Sequence, residues 1–211
     1  MTASEKYPVP LCVDLDGTLI KTDLLVESFF QLLKINFLYI FLAPFWLLNG
    51  KAFLKTRIAE RVEINPALLP YNQEFLSFLR EQKAKGRILV LVTGCHEKYA
   101  RQVAEHLDIF DTVIATDANH NLSGKAKQDL LTQRFGQQGF DYAGNARQDL
   151  QVWQHARQAI LVSTSHNTGK SARRYTRIER EFRGNQSAPG EYLRAMRPHQ
   201  WLKNILVFIP L

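Results

Sequence analysis

Five short apolar runs, at residues 9–13, 88–92, 112–115, 140–143 and 159–162, each end in a polar or glycine-rich corner. Runs of that length, uninterrupted by polar residues at every second position, fit strands buried on both faces. Helical patterns lie between several of them. Over 72–83, Phe75, Leu76 and Leu79 share one face and Gly86 follows as a stop. Over 96–107 the same spacing recurs with Tyr99, Ala100, Val103, Ala104 and Leu107. Strands alternating with helices predict an α/β fold, a parallel sheet with helices on both faces. Such sheets bind ligands beyond the carboxyl ends of their strands. A chain of 211 residues suffices for one such core and a small insertion.

The first run leads straight into Asp14-Leu15-Asp16-Gly17-Thr18-Leu19. Strand side chains alternate, so Asp14 and Asp16 share a direction, and Gly17 lets the backbone turn close to a ligand. Two like charges at the end of a buried strand are costly unless a cation or a reaction requires them. Asp14 suits a nucleophile. Asp16 suits an acid that protonates a leaving group and then deprotonates water. Carboxylates that face a phosphate dianion need a hard cation between them, which points to Mg²⁺.

Three later corners add chemistry. Thr93 and Gly94 close the second run, where a hydroxyl and adjacent N–H groups can hold phosphoryl oxygens. Lys127 stands at the start of a helical pattern through Leu130 and Leu131, where it can offset the charge of aspartates and phosphate, with Lys125 in reserve. The run at 140–143 leads into Gly144-Asn145-Ala146-Arg147-Gln148-Asp149. There Asp149 either completes a metal shell, with Asn145 offering an amide oxygen, or merely favours a helix N-terminus.

More than seventy residues separate the first two runs, far more than a crossover needs. They begin with a helical pattern over 22–34 and continue into an apolar stretch at 35–48, too short to span a bilayer. That stretch reads either as a buried helical hairpin in an inserted cap or as a cap that dips into the membrane interface. Trp46, Tyr39, Lys51 and Lys55 favour the second reading.

The net charge of +7 gathers after residue 169, which suits an anionic partner. Nucleic acid is not expected, because that arginine-rich stretch lacks interleaved aromatic platforms. Cys12 and Cys95 read as reduced core thiols of a cytoplasmic protein. The polar start gives no expectation of a secretory signal. Thr168-Gly169-Lys170-Ser171 lacks the upstream glycine of a nucleotide-binding loop, and the scattered histidines lack zinc-ligand spacing.

Asp14-Leu15-Asp16-Gly17-Thr18, Leu91-Val92-Thr93-Gly94, the lysine of Gly124-Lys125-Ala126-Lys127, and Gly144 to Asp149 resemble, in order, the four motifs of haloacid dehalogenase (HAD) superfamily phosphohydrolases. The resemblance covers residues 9–165. It implies a Rossmann-like core with strand order 3-2-1-4-5 and an inserted helical cap of the C1 type. It also implies Asp14 as the phospho-accepting nucleophile, Asp16 as general acid/base, and Thr93 and Lys127 on the phosphate, beside the Gly94 corner read above. Mg²⁺ would be held by Asp14, the Asp16 main-chain carbonyl and Asp149, to which the residues themselves add the Asn145 amide oxygen. The fourth motif usually reads GDxxxD, and Asn145 stands where its first acid would be.

The last twenty residues, from Tyr192, resemble the start of UbiA-type polyprenyl-group transferases, above all those that transfer phosphoribose to decaprenyl phosphate and occur fused behind a HAD domain. The aspartate-rich motifs of that family are absent. The expected organisation is thus a core at 1–21 and 85–165, a cap at 22–84, a basic linker at 166–190, and the beginning of a transmembrane segment, in a helical tail, at 191–211. The expected function is a Mg²⁺-dependent phosphomonoester hydrolase acting on a phosphorylated small molecule or lipid-linked sugar phosphate. Its place would be the cytoplasm, at the inner face of the plasma membrane, beside a membrane surface or a UbiA-type partner. The competing expectation is a non-catalytic docking domain of a split prenyltransferase.

Overall fold

The computed structural model describes residues 9–117 and 121–184. In chain order the elements are β1 (Leu11–Val13), α1 (Leu24–Ile35), α2 (Tyr39–Leu48), α3 (Lys51–Ala59), α4 (Gln73–Ala84), β2 (Leu89–His96), α5 (Glu97–Leu107) and β3 (Thr112–Thr116). They continue with α6 (Lys125–Phe135), β4 (Asp141–Gly144), α7 (Leu150–Trp153), β5 (Gln158–Val162), α8 (His166–Ala172) and β6 (Arg177–Phe182).

All six strands are parallel, in the order β3-β2-β1-β4-β5-β6. The expected 3-2-1-4-5 order is present, with one strand added at the β5 edge. β1 lies between β2 and β4, with Val13 opposite Leu91 on one side and Ala143 on the other. Alternate residues feed two apolar layers. Leu11, Val13, Leu89 and Leu91 pack with Phe75, Leu79, Tyr99 and Val103. Cys12, Val90, Val92 and Tyr142 pack with Leu131, Trp153 and Ala172. The period of two that makes a strand therefore also assigns each helix to a face.

Helices α1 to α3 form the cap, with a small core of its own: Leu32, Ile58 and Val62, with Phe29, Tyr39, Trp46 and Leu54 packed around them. Asp23 caps α1, its carboxylate accepting from the N–H groups of Leu25 and Val26.

Two expected boundaries shift. Helix α4, assigned above to the cap at 22–84, packs on the sheet through Phe75, Leu76, Phe78 and Leu79 and belongs to the core. Residues 166–184, assigned above to a basic linker, form α8 and the edge strand β6, paired in parallel with β5. Charged side chains cover that edge, and Phe182 is the buried anchor of β6, set against Phe75 and Phe78. The expectations for the N-terminal residues 1–8, the end of the linker and the transferase-like tail at 191–211 lie outside the described residues.

Candidate active site

Asp14 directly follows β1, and its N–H donates to the carbonyl of Ala143 at 3.0 Å, which ties the corner of β1 to that of β4. Its side chain is buried and accepts from Lys127 Nζ at 2.7 Å. Lys127 lies in the first turn of α6 and is 5% exposed, whereas Lys125 points to solvent. Of the two lysines, Lys127 is thus the one in the site.

Lys127 Nζ also donates to the Tyr142 hydroxyl at 3.0 Å, and that hydroxyl donates to Asp149 Oδ1 at 2.9 Å. Asp149 Oδ2 accepts from the main-chain N–H groups of Asn145 and Ala146 at 3.0 and 2.9 Å. Such a fold-back is open to this corner because residue 144 is glycine: a Cβ there would stand 2.7 Å from Asp149 Oδ2. Asn145 lies against Gly17, whose backbone has φ of +72° and whose missing Cβ would meet Asn145 Nδ2 at 2.2 Å. The glycine expected from the turn therefore serves both the turn and the close approach.

Asp16 accepts from the N–H of Leu24 at the start of α1, 2.9 Å away. Burial, then the negative charge of Asp23, push its carboxyl up to about 7. Burial likewise raises Asp14; Lys127 pulls it back, and the charge of Asp149 raises it further. Burial works against the Lys127 cation, but Asp14 and Asp149 outweigh it and hold its pKa above the ordinary lysine value. One ammonium thus sits among three carboxylates.

The Thr93 side chain is buried, and its hydroxyl accepts from the N–H of Cys95 at 3.0 Å. The carbonyl of Gly94 accepts from Thr116 Oγ1 at 2.8 Å and from Lys55 Nζ at 2.5 Å. Lys55 belongs to α3 of the cap and also donates to Asn121 Oδ1 at 2.7 Å. Burial lowers its pKa, against the raising effect of Cys95, Asp16 and Asp23. The seam between cap and core, lined by Leu25, Ser28, Lys55, Cys95, His96 and Tyr99, encloses about 10 Å³. That is room for about one water.

Tyr142 and Lys55 are the site residues that sequence reasoning missed. A tyrosine in a buried strand reads as core, and nothing local shows that Lys55 folds back to a corner 39 residues later. The aromatic at the second position of the β4 run, one turn of chain before the acid corner, was the available signal for Tyr142. Oxygen donors that can serve a divalent cation are the carboxylates of Asp14 and Asp149, the Asp16 carbonyl and the Asn145 amide. Among the described residues, no group of three or more His, Cys, Asp or Glu is placed to hold a metal ion.

Acids at the ends of two central strands and a lysine from α6, beneath an inserted helical cap, give the architecture of a capped, Rossmann-like α/β hydrolase. The model of the haloacid dehalogenase-like hydrolases matches residues 33–152, and the chain belongs to that family. It is 34% identical over 212 residues to an uncharacterized protein, y4nM, of Sinorhizobium fredii, which covers 96% of this chain and 39% of that protein. The chain therefore spans about two-fifths of the length of this relative. Among solved structures, phosphoserine phosphatase in its apo form superposes with a TM-score of 0.58 at 12% identity, over 97% of this chain and all of that one. A phospho-aspartyl intermediate analogue of phosphoserine phosphatase gives 0.56 at 13% identity, over 85% of this chain and 95% of that one. At such identities the likeness is one of fold.

Proposed function

We propose that this domain hydrolyses phosphomonoesters through an aspartyl-phosphate formed on Asp14. The observation that carries this reading is the convergence of one cation on two distant acids: Lys127 stands 2.7 Å from Asp14 and connects to Asp149 through Tyr142. In this reading an Asp14 oxygen attacks phosphorus in line, and the bond from phosphorus to the ester oxygen breaks. Asp16 protonates the departing oxygen, then takes a proton from the water that cleaves the acyl phosphate. A carboxyl held near 7 gives and takes protons readily at neutral pH. Lys127, the Thr93 hydroxyl and the Gly94 corner steady the phosphoryl oxygens.

Mg²⁺ fits the donors present. Asp149 raises the pKa of Asp14, a repulsion that a cation between them would relieve. With two carboxylates, one carbonyl and one amide in place of a third acid, Mg²⁺ would keep several waters, as it commonly does. When bound there, it would neutralise charge between Asp14 and the incoming phosphate.

For the substrate, the reading extends to a membrane-proximal phosphorylated lipid-linked sugar on the cytoplasmic side, beside a UbiA-type partner. The apolar cap and the tail at 191–211 support it. The docking-domain reading keeps one supporting observation, Asn145 at the position of an acid. A panel of phosphomonoesters, assayed with the full chain in Mg²⁺ and in EDTA, separates the two. Metal-dependent turnover that disappears in Asp14→Asn is expected. Inactivity of the wild type across the whole panel would favour the docking domain.

A further inference from the structure

The sixteen residues from Ile35 to Gly50 carry no charged side chain. They contain nine of the thirteen exposed large hydrophobic residues found among the described residues. Phe41 and Phe45 are each 64% exposed, Leu38 62% and Leu48 84%. A helix packed on a protein core shows one apolar stripe, but α2 is apolar around its whole circumference and Ala43 is its one buried residue. Its inner side meets the cap through Tyr39 and Trp46, which lie against each other and beneath the Arg61 guanidinium. The rest faces outward.

We propose that α2 docks in the interfacial layer of an anionic lipid surface. Several outward-facing sides favour a fluid apolar medium over a second protein surface, which would cover one side and leave the others wet. Length sets the mode. Ten helical residues extend about 15 Å, half the hydrocarbon thickness, so the helix lies in the interface instead of crossing it. Charge sets the lipid: exposed Lys34 and Lys51 bracket the uncharged stretch, as cations do beside anionic headgroups. Gly50, with φ of +104°, joins α2 directly to α3, which carries Lys55 to the Gly94 carbonyl. The helix in the lipid is thus one tight turn from the side chain that reaches the catalytic corner. This proposal stands whether or not Asp14 turns over phosphoesters.

The test is flotation of the full chain with vesicles of phosphatidylcholine alone and with 30% phosphatidylglycerol (about one anionic lipid in three), beside the double variant F41D/F45D. Both phenylalanines are exposed, so the variant is expected to keep its circular dichroism and its melting midpoint. Expected are preferential binding to the anionic vesicles, weakened by salt, and at least a tenfold loss of partitioning in the variant. Equal binding of wild type and variant would assign the contact to another surface and overturn the proposal. So would equal binding to both vesicle types. A wild type that ignores vesicles but forms a dimer in sedimentation, lost in the variant, would make a second copy the occupant instead.

Discussion

Tyr142 donates its hydroxyl hydrogen to Asp149 Oδ1 at 2.9 Å while accepting from Lys127 Nζ at 3.0 Å. The phenol is fully buried, and burial, then the charges of Asp149 and Asp14, keep it protonated well above the ordinary tyrosine range. It is therefore a fixed donor on one side and a fixed acceptor on the other. Through it, the acid after β4 and the lysine of α6 hold each other in place.

Tyr142→Phe removes both bonds without changing the shape of the site. An unsatisfied buried carboxylate oxygen and a lysine short of one acceptor should cost about 1–3 kcal/mol, read as a lower denaturation midpoint in urea. If Tyr142 only fills space, kcat will be unchanged. If it positions Lys127 and Asp149, kcat should fall about 10- to 100-fold with a smaller change in KM.

Asp14→Asn should abolish turnover and leave a folded protein, as judged by circular dichroism. The charges explain why the fold survives: the substitution removes one of three carboxylates around a single ammonium and eases the repulsion with Asp149. Lys127→Met removes the cation bonded to Asp14 and leaves Asp14 and Asp149 without it, so it should destabilise more, by about 3–5 kcal/mol. Urea titrations of the two variants in EDTA test the order. A larger loss in Asp14→Asn than in Lys127→Met contradicts this account of the site.

Asp16 gives the pH dependence a sign. Its folded pKa of about 7 lies above the ordinary value of 3.8. Between these values the folded protein keeps a proton that the unfolded chain releases, so the contribution is full below pH 4 and fades as pH rises through 7. In EDTA, stability should therefore decline across that window, by no more than about 1.4 kcal/mol per pH unit from this one group. Asp16→Asn should flatten the decline. A slope unchanged in the variant would show that Asp16 titrates as an ordinary carboxylate.

Local signals in the sequence located the corners whose side chains the structure brings together. The Asp14 corner, the Thr93 corner, Lys127 over Lys125, and the Gly144–Asp149 turn all follow from strand ends, glycines and helix starts. What sequence left open was partnership between distant elements. The apolar face of α4 is equally suited to a cap or to a sheet, and only its packing against Leu11, Leu89 and Phe182 decides. Strand β6 escaped notice because an edge strand shielded by Arg177, Glu179, Arg180 and Glu181 has the composition of a linker. Likewise, the stretch 35–48 shows its hydrophobicity in sequence but not its exposure, and burial was the more ordinary reading.

Lys55 sets the last expectation. Its ammonium bonds the Gly94 carbonyl and Asn121 Oδ1 across a seam with room for about one water. Any movement of α3 away from the Gly94 corner breaks those two bonds. The same charge, freed from them, would be available to an incoming dianion. Lys55→Met should therefore loosen the closed cap and weaken capture of the ester at once. Amide hydrogen exchange in α3 and at the Gly94 corner should speed up in the free protein. KM for any phosphoester that the wild type accepts should rise about tenfold, with kcat less affected. Faster exchange with an unchanged KM would make Lys55 a latch alone, and no change in either would remove it from the site.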